Sequence, residues 1–386
     1  VGSIQQRGAG SWRIKVYVGR DPVTRRKRYA ERTVKGTKTD AKRALAKLVT
    51  EVSEGRVANS GAITFNELFD RWLELKEHQL DPRTHDGYRW VIERYLSRAV
   101  GSMKISRLRT ADLDRLYAGL LRSGGKNGKP LSPATVRQCH GVMRQSLAQA
   151  KRWGMLALNP AEDATPPRNV HKEIVPPSTD EVLTLLRGAM EWDPDFGVFL
   201  RLLAATGCRR SEALALRWRD IEPAAEGRAT LTIARSIGQS KSGIEEKTTK
   251  THQGRRVILD SGTVAVLEEH RRRWEEWAAT GGDKITKESL LFSTELDASV
   301  PWRPDVATNR FNKLCRELGI RGIRLHDLRH FVATSLGAAG TPIATISTRL
   351  GHRDRATTLN IYSHTLPALD HQAAEVLGSL LGDSSP

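Results

Sequence analysis

Apolar positions in the first 58 residues follow two different periods. Trp12, Ile14, Val16 and Val18 alternate with other residues, as in a strand with one buried face. Gly19-Arg20-Asp21-Pro22 reads as a turn, and Arg25-Arg26-Lys27-Arg28-Tyr29 leads a second strand. Thr37 and Asp40 stand three apart, as at a helix start, before an apolar stripe of Ala41, Leu45, Leu48 and Val49. These features predict a small sheet backed by one helix over residues 1–58.

The polar, Gly-containing stretch from Ser53 to Ile63 reads as a linker, and helical periodicity takes over after it. Thr64 and Glu67 form a capping-box pattern ahead of Phe65, Leu68, Phe69, Trp72 and Leu73. A second helix is expected around Tyr88, Val91, Ile92 and Tyr95. A third, capped by Thr110, carries Leu113, Leu116, Leu120 and Leu121. Ser132-Pro133 supplies an N-cap and a first-turn proline for a fourth helix running to about Trp153, and Asn159-Pro160 closes the block. Residues 64–160 therefore read as a compact four-helix domain.

A proline-rich linker over 161–177 follows, with basic residues inside it. Ser178 and Glu181 then cap a new helix. The region 178–386 is mixed: helices dominate, with short strands expected at Ala229–Ile233 and Arg255–Leu259. The predicted class is a multi-domain chain, mainly α with small β-sheets.

Charge narrows the partners. The formal net charge is +18 and the sequence pI about 10.1, which favours a polyanion, nucleic acid being the commonest; the alternative is a soluble basic protein. Residues 1–58 hold 15 Lys or Arg against 5 Asp or Glu, so the predicted sheet can enter a DNA groove or present a solvated charged face. Cys139, Cys208 and Cys315 are odd in number and far apart, with no CxxC pair. That argues against a zinc knuckle or a disulfide framework and fits a reducing, cytosolic compartment. No apolar run approaches the ~18 residues of a membrane span. The N-terminus opens polar, without the apolar stretch of a secretion signal.

Cleaving a phosphodiester without a metal needs a nucleophile, cations on the non-bridging oxygens and an acid for the leaving hydroxyl. Metal-dependent nucleases need clustered carboxylates instead, and the C-terminal half has no convincing cluster of them. It has basic and imidazole groups beside tight turns. In Ala205-Thr206-Gly207-Cys208-Arg209-Arg210-Ser211-Glu212, an apolar helix meets a glycine turn and a new helix starts near Ser211. Arg209 can fork two phosphate oxygens from there or pair with Glu212. In His326-Asp327-Leu328-Arg329-His330, His326 and Arg329 share one helix face, with Leu325, Leu328 and Phe331 packing the other side. Asp327 can orient an imidazole or anchor the helix N-terminus, the structural role being the better fit. Leu350-Gly351-His352 and Thr357-Thr358-Leu359-Asn360-Ile361-Tyr362 complete the set, Tyr362 standing ten residues after His352.

In this order and at these spacings, the residues resemble the tyrosine recombinases of the phage integrase type. The family pattern is an Arg in a TGxRxxE turn, then HxxR, then LGH, then Tyr. The resemblance covers nearly the whole chain. It implies an arm-type DNA-binding domain at 1–58, a helical SAM-like core-binding domain at 64–160 and an α+β catalytic domain at 178–386. It also implies a catalytic lysine on a β-hairpin between the first Arg and HxxR. The stretch from Lys247 to Val257 looks like that hairpin, with Lys250 the better match and Lys247 the competitor.

By the same resemblance, Tyr362 attacks the scissile phosphate to form a 3′-phosphotyrosyl link. Arg209 and Arg329 clamp the phosphate, His326 moves a proton, His352 hydrogen-bonds the phosphate, and Lys250 protonates the leaving 5′-oxygen. No cofactor and no metal are implied. The implied partners are double-stranded DNA attachment sites, a homotetramer in the synaptic complex, and an excisionase with a DNA-bending host factor. The implied location is the bacterial cytoplasm at the nucleoid, with no membrane. The tail after Tyr362, with Leu366, Leu369, Val376, Leu377 and Leu380, can dock on a neighbour or on its own domain. Arg210 and His330 are extra basic groups, open to DNA contact or structural use, and Cys208 is a packing residue. Two rivals share parts of the pattern: a type IB-like topoisomerase and a DNA-binding regulator without chemistry.

Overall fold

A computed structural model of the chain describes residues 2–20, 27–53, 63–169, 175–240, 243–248 and 254–351. The chain divides into two compact units, Val1–His171 and Lys172–Pro386, and the division falls inside the proline-rich stretch.

The first unit opens with three antiparallel strands in the order β1 (Gly2–Gly8), β2 (Ser11–Arg20) and β3 (Lys27–Lys35), followed by α1 (Lys38–Ser53). Strand β1 is an addition to the sequence reading, because its residues show no apolar alternation. Ile14, Val16 and Ala30 form the buried face and pack with Ala41 and Leu48 of α1 into a core of their own. Val49 of the predicted stripe is 38% exposed. Thr37 and Asp40 do cap α1, the Thr37 N–H donating to Asp40 at 2.9 Å and the Asp40 N–H to Thr37 at 3.3 Å. The other sheet face carries Arg13, Lys15 and Tyr17 opposite Thr33, Glu31 and Tyr29. Glu31 accepts from Arg13 and lies 3.0 Å from the Lys15 ammonium. The same ammonium sits 4.2 Å from the Tyr29 ring centre.

The unit continues with α2 (Phe65–Glu77), α3 (Pro82–Val91), α4 (Ser97–Val100), α5 (Thr110–Ser123) and α6 (Pro133–Arg152). The capping box on α2 is present, the Thr64 N–H donating to Glu67 at 2.7 Å. Ser132 caps α6 by accepting from the Thr135 N–H at 3.2 Å, with Pro133 in the first turn. A π-helical turn at Ile92–Leu96 joins α3 to α4. Its extra residue per turn keeps Val91, Ile92, Tyr95 and Leu96 all buried. Thr110 is not the cap of α5: Arg109 is, its N–H donating to Asp112 at 3.0 Å, while the Thr110 hydroxyl donates to the Pro160 carbonyl at 3.1 Å. Phe65, Phe69, Trp72, Leu113, Tyr117, Met143 and Leu147 lie in one continuous core.

The second unit begins with α7 (Thr179–Trp192), capped by the Ser178–Glu181 box, then α8 (Pro194–Thr206) and the single turn α9 (Arg210–Ala213). Buried residues occur all round α8, among them Phe196, Phe199, Leu200 and Leu203, so it is the central helix of this core. Strands β4 (Ile221–Pro223), β5 (Ala229–Ile233), β6 (Arg235–Ser240), β7 (Gly243–Thr248) and β8 (Arg255–Leu259) follow. β5 and β8 keep the bounds expected from the sequence and form the antiparallel sheet β4-β5-β8, with Ile233 opposite Arg255. The hairpin expected across Lys247 to Val257 is paired differently among the described residues. β7 pairs with β6 in a separate two-stranded sheet, and β8 pairs with β5. Helices α10 (Ser261–Thr280), α11 (Pro304–Glu317), α12 (Asp327–Ala338) and α13 (Ile343–Leu350) complete the described fold. No helix among the described residues is long and apolar enough to cross a membrane.

Candidate active site

The site is built from the end of α8 outward. Gly207 terminates this helix with φ 65°, its N–H donating to the Leu203 carbonyl at 2.9 Å. Thr206 locks the turn, donating to Leu202 at 2.7 Å and accepting from the Cys208 N–H at 3.2 Å. A Cβ at Gly207 would lie 2.4 Å from Leu350 Cδ2 and 3.3 Å from Val332 Cγ1. Glycine is required here twice, by backbone angle and by the packing of α12 and α13. Gly207→Ala should therefore lower the unfolding free energy by about 2 kcal/mol or more. Urea denaturation of the full chain checks this, and an unchanged midpoint and slope would remove the packing argument. Cys208 is buried, as expected of a packing residue, and burial pushes its thiol up to about 11.

That turn delivers Arg209, the N-cap residue of α9, to the mouth of a cavity of about 450 Å³. Arg209, Arg210, Thr308, Asn312, His326 and Arg329 are among its lining residues, and no Asp or Glu is among those described. Arg209 is held by Glu212. Its N–H donates to Oε2 at 2.8 Å and its guanidinium Nη1 to Oε1 at 2.8 Å, while Nη2 donates to the Gly351 carbonyl at 3.3 Å. Salt bridge and cavity-facing cation thus coexist, since the Arg209 side chain remains 43% exposed. Burial alone would raise the pKa of Glu212. Arg255 and then Arg209 outweigh that, holding the carboxyl down at about 2.

Helix α12 supplies the second wall. Asp327 accepts from the Arg324 N–H at 2.8 Å and from its guanidinium at 2.9 and 3.1 Å, fixing the helix start as the sequence implied. Leu325 and Leu328 are buried in the main core. Arg329 is 3% exposed, and its Nη1 donates to the Gly207 carbonyl at 2.5 Å. Its Nη2 has no hydrogen-bond partner among the described residues. Burial, then the charges of Arg209 and Arg255, push Arg329 down to about 9, which leaves it cationic at neutral pH. His326 stands beside it at the N-cap position of α12, and burial of its ring with the charges of His330 and Arg329 holds it down at about 4. It is therefore a neutral imidazole at pH 7 in the free protein. His330 is buried, its ring edge-on to His326 at 5.1 Å. Of the two extra basic groups, His330 is thus enclosed, and Arg210 lines the cavity and donates to Thr308.

Arg209, His326 and Arg329 are brought together at one cavity. Lys247 lies on β7 with its ammonium 3.1 Å from Glu245, and it is not among the lining residues. Lys250, His352, Tyr362 and the tail after it lie outside the described residues. Among the described residues, no group of His, Cys, Asp or Glu is arranged to hold a metal ion. Two features have uses that the sequence does not assign. Arg255 opens a strand and, with Arg256, belongs to the pattern that favours Lys250, but no contact of its own follows from that. Thr308 and Asn312 sit on an amphipathic helix without a motif.

Comparison with known proteins decides the assignment. The signature described as "Phage integrase family" matches residues 180–368, a span holding all six expected site residues. That described as "Phage integrase, N-terminal SAM-like domain" matches residues 64–121. The chain belongs to the phage integrase family, the tyrosine-type site-specific recombinases. A tyrosine recombinase XerC-like protein of Caldanaerobacter subterraneus is 27% identical over 97% of this chain and 97% of its own. The integrase of transposon Tn1549, solved with transposon right-end DNA, has a TM-score of 0.67 at 17% identity, covering 82% of this chain and 100% of its own. A lambda integrase tetramer on a Holliday junction has a TM-score of 0.56 at 14% identity, covering 91% and 96%. This recombinase therefore shares the family's mainly helical, multi-domain fold with small antiparallel sheets.

Proposed function

We propose that this recombinase cuts and rejoins double-stranded DNA at attachment sites through a 3′-phosphotyrosyl intermediate on Tyr362, integrating and excising a phage or other mobile element. The observation that carries this reading is the cavity where Arg209, His326 and Arg329 meet with no carboxylate among its described lining residues, and with a buried Arg329 Nη2 left for an incoming acceptor. Two guanidinium groups on separate helices suit the oxygens of a phosphate, and their charge is worth most where water is scarce.

In the proposed reaction the Tyr362 oxygen bonds to phosphorus and the bond to the 5′-oxygen breaks. His326, neutral at rest, takes the tyrosine proton or passes it on, and His352 hydrogen-bonds the phosphate. Lys250 protonates the departing 5′-oxygen, with Lys247 the alternative. The new ester keeps the phosphodiester energy, so a 5′-hydroxyl of a second duplex reverses the step without ATP. Exchange between two duplexes calls for four protomers in a closed head-to-tail ring. The tetrameric and DNA-bound relatives support this assembly. The reading also includes an excisionase and a DNA-bending host factor, and a place at the nucleoid.

The proposal divides the labour by domain, with 64–160 and 178–386 holding the core site and 1–58 binding arm sites. Arg13, Lys15, Tyr17 and Tyr29 on the open face of the β1-β2-β3 sheet would enter a groove. Removal of residues 1–58 is expected to leave cleavage of a nicked core-site duplex unchanged. Integration should fall, and the salt dependence of binding should become shallower as phosphate contacts are lost. Unchanged integration and an unchanged footprint would refute the arm assignment. No adduct from the intact chain on a nicked attachment site would refute the enzyme reading.

A further inference from the structure

Arg255 stands behind the cavity rather than in it. It opens β8, is 11% exposed in its side chain and is not among the lining residues, yet three structures around the site meet on it. Its Nη2 donates to Glu212 Oε2 at 2.6 Å. Its Nε donates to the Arg349 carbonyl, in the last turn of α13, at 2.9 Å. A Cβ at Gly351, where φ is 66°, would lie 2.9 Å from Arg255 Nη1 and 3.0 Å from its Cδ, so the guanidinium fills the space that a side chain there would need.

These contacts close a ring. Glu212 is shared between Arg255 and Arg209, and Arg209 reaches the Gly351 carbonyl while Arg255 reaches that of Arg349. Both carbonyls lie at the negative end of α13, where unpaired acceptors and the helix dipole favour cations. Charge makes the arrangement more than a brace. One carboxylate facing one guanidinium would largely cancel it, and a cancelled Arg209 is a poor partner for a phosphate. With two guanidiniums on Glu212, the cluster keeps a net positive charge, and the exposed member is Arg209, the one at the cavity.

We infer that Arg255 is a positioning residue for strand cleavage: it neutralises Glu212 from behind, so that Arg209 keeps its charge and aim toward the scissile phosphate. It also ties β8, the strand that follows the Lys250 segment in sequence, to the turn at Gly351 that immediately precedes His352. This inference rests on the recombinase reading of the same site.

The test is single-turnover adduct formation by the full chain on a nicked core-site duplex, with affinity measured in parallel. Arg255→Ala should cleave about 10²-fold more slowly, the scale of a small misplacement of a catalytic group. DNA affinity should stay within about threefold, since no phosphate contact is removed. Arg255→Lys keeps charge and stem, and so folds, but its compact ammonium does not reproduce the fixed spacing of Nε and Nη2 toward Arg349 and Glu212; about tenfold slowing is expected. The decisive readout is Glu212→Gln added to Arg255→Ala. Removing the unbalanced carboxylate frees Arg209 and should recover about tenfold of the lost rate. A double variant slower than either single variant, or Arg255→Lys at the wild-type rate, would overturn the inference. No adduct from wild type would overturn the recombinase reading with it, so the two failures are distinguishable.

Discussion

Tyr362→Phe is expected to bind an attachment-site duplex with wild-type affinity and to form no covalent adduct with it. Phenylalanine keeps the ring and loses only the oxygen that would bond to phosphorus. Affinity for DNA is carried by many cations spread over a chain of net charge +18, so one lost hydroxyl should not register there. Ser211, Thr308 and Cys208 also line the cavity, but burial keeps the Cys208 thiol protonated and neither hydroxyl is expected to replace the phenol. Loss of the nucleophile from a concerted site typically costs on the order of 10⁴-fold or more, because the remaining groups act only in its presence. Denaturing electrophoresis of the trapped complex checks this. A shifted band of normal yield from the phenylalanine variant would show that Tyr362 is not the nucleophile.

Arg329→Lys is expected to slow cleavage by about 10³-fold while leaving DNA binding nearly intact. The conservative variant is chosen because Arg329 is 3% exposed and its loss to alanine would orphan the Gly207 carbonyl as well as remove the charge. One guanidinium nitrogen is committed to that carbonyl, and a second, Nη2, has no partner among the described residues. Lysine's three donors radiate from one compact ammonium and do not reproduce the fixed spacing of Nη1 and Nη2. An ammonium that satisfies Gly207 is displaced from the position of Nη2, and removal of one preorganised donor to transition-state charge costs about 10²–10³-fold. The rate should fall at saturating protein, in single turnover, without a matching change in the dissociation constant. A lysine variant that cleaves within a few fold of wild type would show that Arg329 only braces the α8 turn.

Much of this site was legible in the sequence because its parts are local. A glycine before Arg209 forecasts a left-handed helix end, and Gly207 has φ 65°. Boxes such as Thr64–Glu67 and Ser178–Glu181 depend on residues three apart, and both are present. The strands Ala229–Ile233 and Arg255–Leu259 were legible from β-branched and apolar runs, and they keep those bounds. What escaped depends on partners far along the chain. Arg255 meets Glu212 across 43 residues and Arg349 across 94, so nothing beside it announces its use. The pairing of β7 with β6 rather than β8 was hidden for another reason. β6 is half-buried along nearly its whole length and has no apolar alternation to mark it. Strand β1 is mostly exposed and equally featureless. The cap of α5 was misread because Thr110 looks like an N-cap, but its hydroxyl is drawn to Pro160, leaving Arg109 and Asp112 to close the helix.

The central claim is the identity and polarity of one covalent bond. Trapping the full chain on a nicked attachment-site duplex, digesting with protease and nuclease, and fragmenting the nucleotide-bearing peptide by mass spectrometry would locate it. The account predicts a single modified peptide carrying a 3′-phosphoryl nucleotide on Tyr362, together with a free 5′-hydroxyl on the released strand. A nucleotide on any other residue, or one joined through its 5′-phosphate, would contradict it.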